Sequence, residues 1–139
     1  CGDLACFVKN NDNITLDIRG TVTYEEAQKI MEESDFLVNL GNVNSNLVPS
    51  KIFEYMSYGK PIISTFVNGN DSSIPYLREY PAAFFIDERD GNHAKIAQLL
   101  TDFIAQNRDI FVAHSSIFKK FYKNTPAALY DFLSSKSKI

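Results

Sequence analysis

The segment 36–66 constrains the fold of this chain more than any other. It opens with an apolar run of strand length, Phe36 to Leu40, and closes with Pro61 to Phe66, whose β-branched residues are typical of a buried strand. Between these runs the sequence predicts a helix that starts near Pro49, because proline is tolerated in the first turn. Gly59 can adopt the left-handed conformation that ends a helix. Two strands joined by a helix indicate an α/β protein.

The rest of the chain extends this pattern. Ile14 to Arg19 alternates apolar and polar residues and predicts a strand, and Ala82 to Ile86 predicts another, buried strand. Thr23, followed three residues later by Glu26, forms a capping box that marks the start of a helix. Four strands alternating with helices predict a Rossmann-like parallel sheet sandwiched by helices. We expect residues 1–139 to form a single domain.

Helices dominate the sequence after the last predicted strand. Apolar residues recur at helical spacing over 92–106, and again from Ile110 to Phe121. Thr125 and Pro126 form an N-cap followed by a proline at the first helical position, which predicts a final helix. A short helix is also expected over 72–77, after a loop at the end of the second buried strand.

Composition excludes several classes of protein. The net charge of −3 argues against a nucleic-acid-binding protein that depends on phosphate attraction. Cys1 and Cys6 form neither a disulfide framework nor a metal-ligand spacing. The sequence shows no signal peptide and no apolar run long enough to span a bilayer, so we expect a cytoplasmic location.

The start of the helix near Pro49 suggests an anionic ligand. Val48 has no side-chain oxygen with which to cap the helix, so the N–H groups of Ser50 and Lys51 are expected to point at solvent, where they attract a phosphate. Glu54 lies five residues beyond Pro49, about 7–8 Å along the helix axis. This is roughly the distance from a diphosphate to the ribose hydroxyls of the same nucleotide, which a carboxylate can bind.

The residues around Glu54 read PSKIFEYMSYGKPII. They resemble the donor-binding signature of retaining family 4 glycosyltransferases with the GT-B fold, which act in bacterial surface-polysaccharide pathways. The family pattern is E-x7-E followed by A-M-A-x-G-x-P-V-I. Glu54 matches the second glutamate, which binds the donor ribose in that family. The first glutamate falls on Asn46, so the chain departs from the pattern near the donor sugar.

The resemblance extends from about Gly2 to Ile86 and implies that the chain is the donor-binding, C-terminal half of a GT-B fold. It implies a glycosyltransferase of the hexosyltransferase type, which transfers a sugar from a UDP- or GDP-linked donor to a saccharide or lipid-linked acceptor. The nucleotide sugar is then a substrate, with no other cofactor and no metal. The resemblance also leads us to expect a fragment that lacks the acceptor domain and the first strand or strands of the donor domain.

The expected donor-binding residues lie at the ends of predicted strands and at the start of the predicted helix: Glu54, Lys51, Ser50, Pro49, Asn46, Asn44, Gly41, Arg19, Gly20 and Thr21. The backbone N–H groups of Ser50 and Lys51 would hold the diphosphate, supplemented by the Lys51 ammonium. By resemblance, the loop 19–21 would lie along the nucleobase. A surface ion pair is the competing interpretation of Arg19. No catalytic residue is assigned.

The sequence is also compatible with two other functions. One is a nucleotide-sugar 2-epimerase with the GT-B fold, although no convincing set of acid–base residues is visible. The other is a non-enzymatic α/β module that binds a partner protein, in which Glu54 is an ordinary solvated helix residue. Lys119, Lys120 and Lys123 would suit peripheral association with the inner face of the cell membrane, or are solvated lysines.

Overall fold

A computed structural model of the chain describes residues 13–41 and 50–122. The chain divides into two compact units, Cys1–Ile30 and Met31–Ile139. In chain order, the described elements are α1 (Tyr24–Glu33), β1 (Leu37–Asn39), α2 (Lys51–Ser57), β2 (Ile62–Phe66), α3 (Ile74–Arg78), β3 (Ala83–Asp87), α4 (His93–Asn107) and α5 (His114–Phe121). No helix in these two stretches is both long and apolar enough to cross a membrane.

The three strands form one parallel sheet in the order β1-β2-β3. Ile62 at the start of β2 pairs with Leu37 on one side and with Ala83 on the other. The predicted α/β class with a parallel sheet is therefore confirmed. The strands predicted from the three apolar runs are also present, and no end of a strand differs from its predicted position by more than one residue.

The fourth predicted strand, Ile14 to Arg19, is wrong. This stretch has no regular secondary structure in the first compact unit. Ile18 is 77% exposed and Ile14 is also exposed, so the alternating apolar residues have no face to bury. A strand is stabilised by a hydrogen-bonded neighbour and by a buried face, and alternation alone supplies neither.

The start of α1 agrees with the prediction. The Thr23 backbone N–H donates to the Glu26 carboxylate at 2.9 Å, and the Glu26 backbone N–H donates to Thr23 Oγ1 at 3.2 Å. These two hydrogen bonds are the reciprocal pair of a capping box. The capping box is therefore confirmed, and it satisfies two backbone groups that the first helical turn leaves unpaired.

The core of the second unit is built around α2 and β2. Ile52 and Met56, one turn apart on α2, are fully buried together with Ile62 of β2 and Leu77 of α3. Burying a side chain of this size contributes about 1.5–3 kcal/mol. These four residues therefore fix how α2 and α3 sit on the sheet.

Gly59 ends α2 as predicted and also makes a close contact. Its φ is +67°, in the left-handed region that glycine adopts without strain. A Cβ at this position would lie 2.7 Å from the ring of Phe111 and 2.7 Å from the carbonyl oxygen of Val112. The Val112 N–H donates to the Gly59 carbonyl at 2.8 Å. The chain after α4 is thereby held against the end of α2.

This contact explains why the helix predicted from Ile110 onward starts later. Val112 uses its N–H for Gly59, and Ala113 is extended with ψ of 131°, so α5 begins only at His114. Ile110 and Phe111 lie outside the helix and are exposed. The helix predicted from Thr125 lies outside the described residues.

The aromatic residues of α4 and α5 are only partly buried. Neither helix has a fully buried residue. Phe103 of α4 stacks on Phe84 of β3, with ring centroids 5.1 Å apart, whereas Val38 of β1 is 51% exposed. The face of the sheet that carries Phe84 is covered less completely than the face against α2.

Tyr80 ties the turn before β2 to the core. Its ring is buried and its hydroxyl donates to the Lys60 carbonyl at 2.8 Å. Burial raises the pKa of Tyr80 to about 12, from an ordinary value of 10.0. The neutral phenol is therefore favoured in the folded state. The stability that it contributes is complete below pH 10 and is lost as the pH rises from 10 towards 12.

We predict that Tyr80→Phe lowers the free energy of unfolding at pH 7 by about 0.5–1.5 kcal/mol, because the Lys60 carbonyl loses its donor. The variant should also lose less stability between pH 10 and 12 than the wild type, since it has no phenol to ionise at this position. Urea unfolding at pH 7, 10 and 12 measures both effects. Tyr24→Phe, at an exposed tyrosine, is the control. Equal alkaline losses in wild type and Tyr80→Phe would contradict the prediction.

Candidate functional site

The helix that carries the predicted donor site begins later than expected. α2 starts at Lys51, with Ser50 as its N-cap residue and no side-chain capping hydrogen bond. Pro49 lies outside the described residues. Glu54 is consequently in the first turn of α2, about 4.5 Å along the axis from Lys51 rather than 7–8 Å from the helix start. The predicted spacing between an anion at the N-terminus and the carboxylate is therefore too long.

Glu54 is half-buried, and its carboxylate has no hydrogen-bond or ion-pair partner among residues 13–41 and 50–122. Its backbone carbonyl accepts a hydrogen bond from Ser57 Oγ at 2.6 Å. Lys51, three residues earlier, is exposed and likewise has no ion-pair partner in the described part of the chain. Residues at this spacing are neighbours on a helix surface. A carboxylate and an ammonium are therefore both available to a ligand at the start of α2.

Gly41, expected to contact the donor, has a packing role in the structure. Its N–H donates to Thr65 Oγ1 at 3.1 Å. A Cβ at Gly41 would lie 2.6 Å from both the Cα of Phe66 and the carbonyl oxygen of Thr65. This position requires glycine because the chain leaving β1 passes directly against the backbone of β2. Gly41 thus holds the carboxyl ends of two parallel strands together, which is the edge where open α/β sheets bind ligands.

The loop 19–21 does not follow a strand, so the prediction that it is a strand-exit loop is wrong. Arg19 Nε lies 2.6 Å from Asp17 Oδ2, and both side chains are more than half exposed. The surface ion-pair interpretation of Arg19 therefore agrees with the structure. Gly20 has φ of +67°, which turns the chain before α1. Arg19, Gly20 and Thr21 belong to the first compact unit, whereas Glu54 and Lys51 belong to the second.

The structure therefore brings Ser50, Lys51 and Glu54 together on the first turn of α2, with Gly41 at the end of β1. The predicted donor-sugar residues Asn44 and Asn46 lie outside the described residues.

Three polar pairs near the carboxyl ends of the strands were not predicted as part of a site. Asn39 Nδ2 donates to Ser64 Oγ at 2.9 Å across β1 and β2, and both residues are buried. Asp71 accepts hydrogen bonds from the backbone N–H and the hydroxyl of Ser73, at 2.8 and 2.6 Å. The Asp71 pair shapes the turn into α3. The Asn39–Ser64 pair is spaced 25 residues apart, which no local pattern could reveal.

The third pair, Asp87 and Arg89, lies at the end of β3. The guanidinium donates to both carboxylate oxygens, at 2.8 and 2.6 Å. These hydrogen bonds lower the pKa of Asp87 to about 2 and raise that of Arg89. The pair is exposed, so its small stabilising effect is present above pH 4 and is lost as the pH falls towards 2. In the sequence, an aspartate followed two residues later by an arginine is the pattern from which this ion pair could have been predicted.

An apolar pocket of about 270 Å³ lies between α2 and α5. It is lined on the α2 side by Phe53, Met56 and Ser57, not by Lys51 or Glu54. The pocket and the polar first turn of α2 therefore occupy different faces of the same helix. Within 13–41 and 50–122 no group of three His, Cys, Asp or Glu side chains is arranged to hold a metal ion.

Comparison of the chain with protein-family models, with curated proteins and with solved structures found no match.

We predict that Gly41→Ala lowers the free energy of unfolding by about 1–3 kcal/mol, because the added methyl group must push the end of β1 away from β2. Gly69→Ala is the matched control. It makes the same substitution in another loop of the second unit, where a Cβ would meet nothing within 4 Å. Neither glycine has a positive φ, so backbone strain does not confuse the comparison. Chemical denaturation measures both variants. Equal effects would show that the close contact at Gly41 is not present in solution.

Proposed function

We propose that this chain is the nucleotide-sugar-binding half of a retaining glycosyltransferase with a GT-B fold. The observation that carries the proposal is Glu54, a half-buried residue whose carboxylate has no partner among the described residues. It stands on a helix that connects two parallel strands and ends at a left-handed glycine. In the family that the sequence around Glu54 resembles, the glutamate that binds the ribose is expected on a helix in this context.

Glu54 would accept hydrogen bonds from the two vicinal hydroxyls of the donor ribose. Such charge-assisted hydrogen bonds are stronger than those between neutral groups. The Lys51 ammonium, within one turn of Glu54, would face the diphosphate and offset the negative charge that builds on the departing group during sugar transfer. Asn46 and Asn44, by the same proposal, would lie near the donor sugar.

The peptide N–H groups at the start of α2 contribute less than the sequence suggested. α2 has seven residues, so few peptide dipoles add along its axis. Glu54 in the first turn would also repel a phosphate placed there. The proposal therefore depends on the side chains of Glu54 and Lys51 rather than on the helix terminus alone.

A simpler explanation of Glu54 makes a different prediction. An acidic residue in the first turn stabilises a helix by about 0.3–1 kcal/mol through the helix dipole. If this is its whole role, replacing Glu54 lowers the stability of the protein and leaves nucleotide affinity unchanged. If Glu54 instead binds the ribose, replacing it lowers the nucleotide affinity much more than the stability of the protein.

The proposed reaction transfers a hexose from a UDP- or GDP-linked donor to a saccharide or lipid-linked acceptor at the cytoplasmic face of the membrane. The basic residues of α5 support membrane association only weakly. Lys120 Nζ donates to the Glu79 carbonyl at 2.6 Å and lies 3.4 Å from its carboxylate, so this lysine is engaged within the protein. Lys123 lies outside the described residues.

We predict that UDP or GDP binds the chain in isothermal titration calorimetry and that Glu54→Ala weakens the preferred nucleotide about ten- to a hundredfold. The factor corresponds to the roughly 1.5–3 kcal/mol that hydrogen bonds to a charged group contribute. Glu54→Gln keeps the shape of the side chain but loses its charge, so its nucleotide affinity should fall between those of the wild type and Glu54→Ala. Added EDTA should change none of these values, because the proposed site uses no metal.

Glu32→Ala is the matched control, since it removes the same charge from an exposed position on α1. It should leave affinity within about twofold of wild type, as expected for a surface change away from the site. Absence of binding by both nucleotides at millimolar concentration would contradict the proposed function. A strict requirement for Mg²⁺ or Mn²⁺ would contradict the metal-free site.

A further inference from the structure

Asn68 and Gly69 form the one Asn-Gly pair in the sequence, in the loop that follows β2. The glycine matters because an asparagine side chain is lost when the peptide nitrogen of the next residue attacks its carbonyl carbon. A Cβ on that next residue hinders the approach, and glycine has none. Gly69 is exposed, and a Cβ at this position would meet nothing within 4 Å. The loop therefore leaves the Gly69 nitrogen open.

The groups that such an attack uses are all available in this loop. The Asn70 backbone N–H donates to Asn68 Oδ1 at 3.0 Å. This hydrogen bond closes a ring that contains both the Asn68 side-chain carbonyl and the Gly69 nitrogen. Within residues 13–41 and 50–122, no group accepts a hydrogen bond from the Gly69 N–H or from the Asn68 amide nitrogen. The nucleophile and the leaving group are therefore unpaired, while a donor already contacts the oxygen on which negative charge develops.

We propose that Asn68 is a site of spontaneous deamidation in the folded protein. The Gly69 nitrogen gives its proton to hydroxide and forms a bond to Asn68 Cγ. The Cγ–Nδ2 bond then breaks, and Nδ2 leaves as ammonia with a proton taken from water. Water opens the resulting five-membered succinimide at either carbonyl, which gives aspartate or isoaspartate. The net reaction converts an amide and water to a carboxylate and ammonia, and it needs no oxidant and no cofactor.

The other described asparagines lack this combination of features. Each of them is followed by a residue that has a Cβ. Asn39 is buried, and its amide nitrogen donates to Ser64 Oγ. The amide nitrogen of Asn107 donates to the Phe103 carbonyl at 2.8 Å. In these two residues the leaving group is held by the protein, so we expect Asn68 to react first.

Asp90 and Gly91 provide a matched comparison within the same chain. The Asn92 backbone N–H donates to Asp90 Oδ1 at 2.9 Å, and a Cβ at Gly91 would also meet nothing within 4 Å. The side-chain hydrogen bond and the following glycine are therefore the same as at Asn68. The side chain is a carboxylate, however, and its negative charge disfavours attack by nitrogen. Asp90 should consequently form isoaspartate much more slowly than Asn68.

Deamidation would alter the connection between β2 and α3. It places a negative charge after the carboxyl end of β2, the edge where open α/β sheets bind ligands. The isoaspartate product also carries the main chain through the former side chain and lengthens it. The Asp71 N–H, which donates to the Asn68 carbonyl at 3.4 Å, would then lose this acceptor as it stands. The modification therefore changes both the charge and the geometry of this loop.

The test follows each asparagine by peptide mass spectrometry while the full chain is kept at physiological temperature and mildly alkaline pH. Residue 68 should gain about one dalton, and enzymatic carboxyl methylation should detect isoaspartate there. The gain should be at least about tenfold faster than at Asn70, which is exposed but followed by an aspartate. Isoaspartate should form at residue 68 before it forms at Asp90. Equal rates at Asn68 and Asn70 would overturn the proposal.

Gly69→Ala tests the role of the open nitrogen. The added methyl group has room in the folded chain, so the variant should fold as the wild type does, which chemical denaturation checks. It should slow the loss of the Asn68 amide by at least about tenfold, equivalent to about 1.4 kcal/mol in the barrier. An unchanged rate would contradict attack by the nitrogen of residue 69.

The same measurement in concentrated guanidinium chloride separates the folded loop from the sequence alone. An Asn-Gly pair reacts in an unfolded chain, so the structural claim is that folding does not protect it. The folded and unfolded rates at Asn68 should agree within about tenfold, whereas Asn39 should react only in the unfolded chain. A larger protection of Asn68 by folding would overturn the proposal, because the loop would then hold Cγ away from the Gly69 nitrogen.

Discussion

The packing of α2 onto β2 sets the orientation of every side chain on α2. Ile52 and Met56 point into the core and are fully buried. With about 100° between successive residues of a helix, Glu54 then lies on the side of α2 opposite to these two residues. Phe53 and Ser57 lie on the side of α2 between its buried face and Glu54, and they line the apolar pocket. The burial of Ile52 and Met56 thus sets the direction in which Glu54, the residue proposed to bind the ribose, points. It also sets which side of α2 lines the pocket.

Features of the structure that depend on neighbouring residues were predicted correctly from the sequence. Features that depend on a residue far away in the chain were not. The capping box of Thr23 and Glu26 depends on two residues three apart, so the sequence contains all of the information. The helix end at Gly59 was equally local. The alternation of Ile14 to Arg19 predicted a strand that the structure lacks, because a strand depends on a neighbour that alternation cannot specify. The late start of α5 depends on a hydrogen bond between Val112 and Gly59, 53 positions apart in the chain.

The candidate site shows the same division. The proximity of Glu54 and Lys51 could be predicted because both lie in one helix, and the structure places both in its first turn. The role of Gly41 could not be predicted, because the backbone that it approaches belongs to Phe66, 25 residues later. Asp87 and Arg89 could have been found, since an acid and a base two residues apart after an apolar strand suggest a local ion pair.

The most direct measurement of the central claim compares two ligands against two proteins. The affinities of wild type and Glu54→Ala are measured for the preferred nucleoside diphosphate and for its 2′,3′-dideoxy analogue, which lacks both ribose hydroxyls. If Glu54 binds the ribose, the substitution should weaken the ribonucleotide about ten- to a hundredfold and leave the dideoxy analogue unchanged within about twofold. Equal weakening of both ligands would show that Glu54 does not bind the ribose hydroxyls, and would contradict the account.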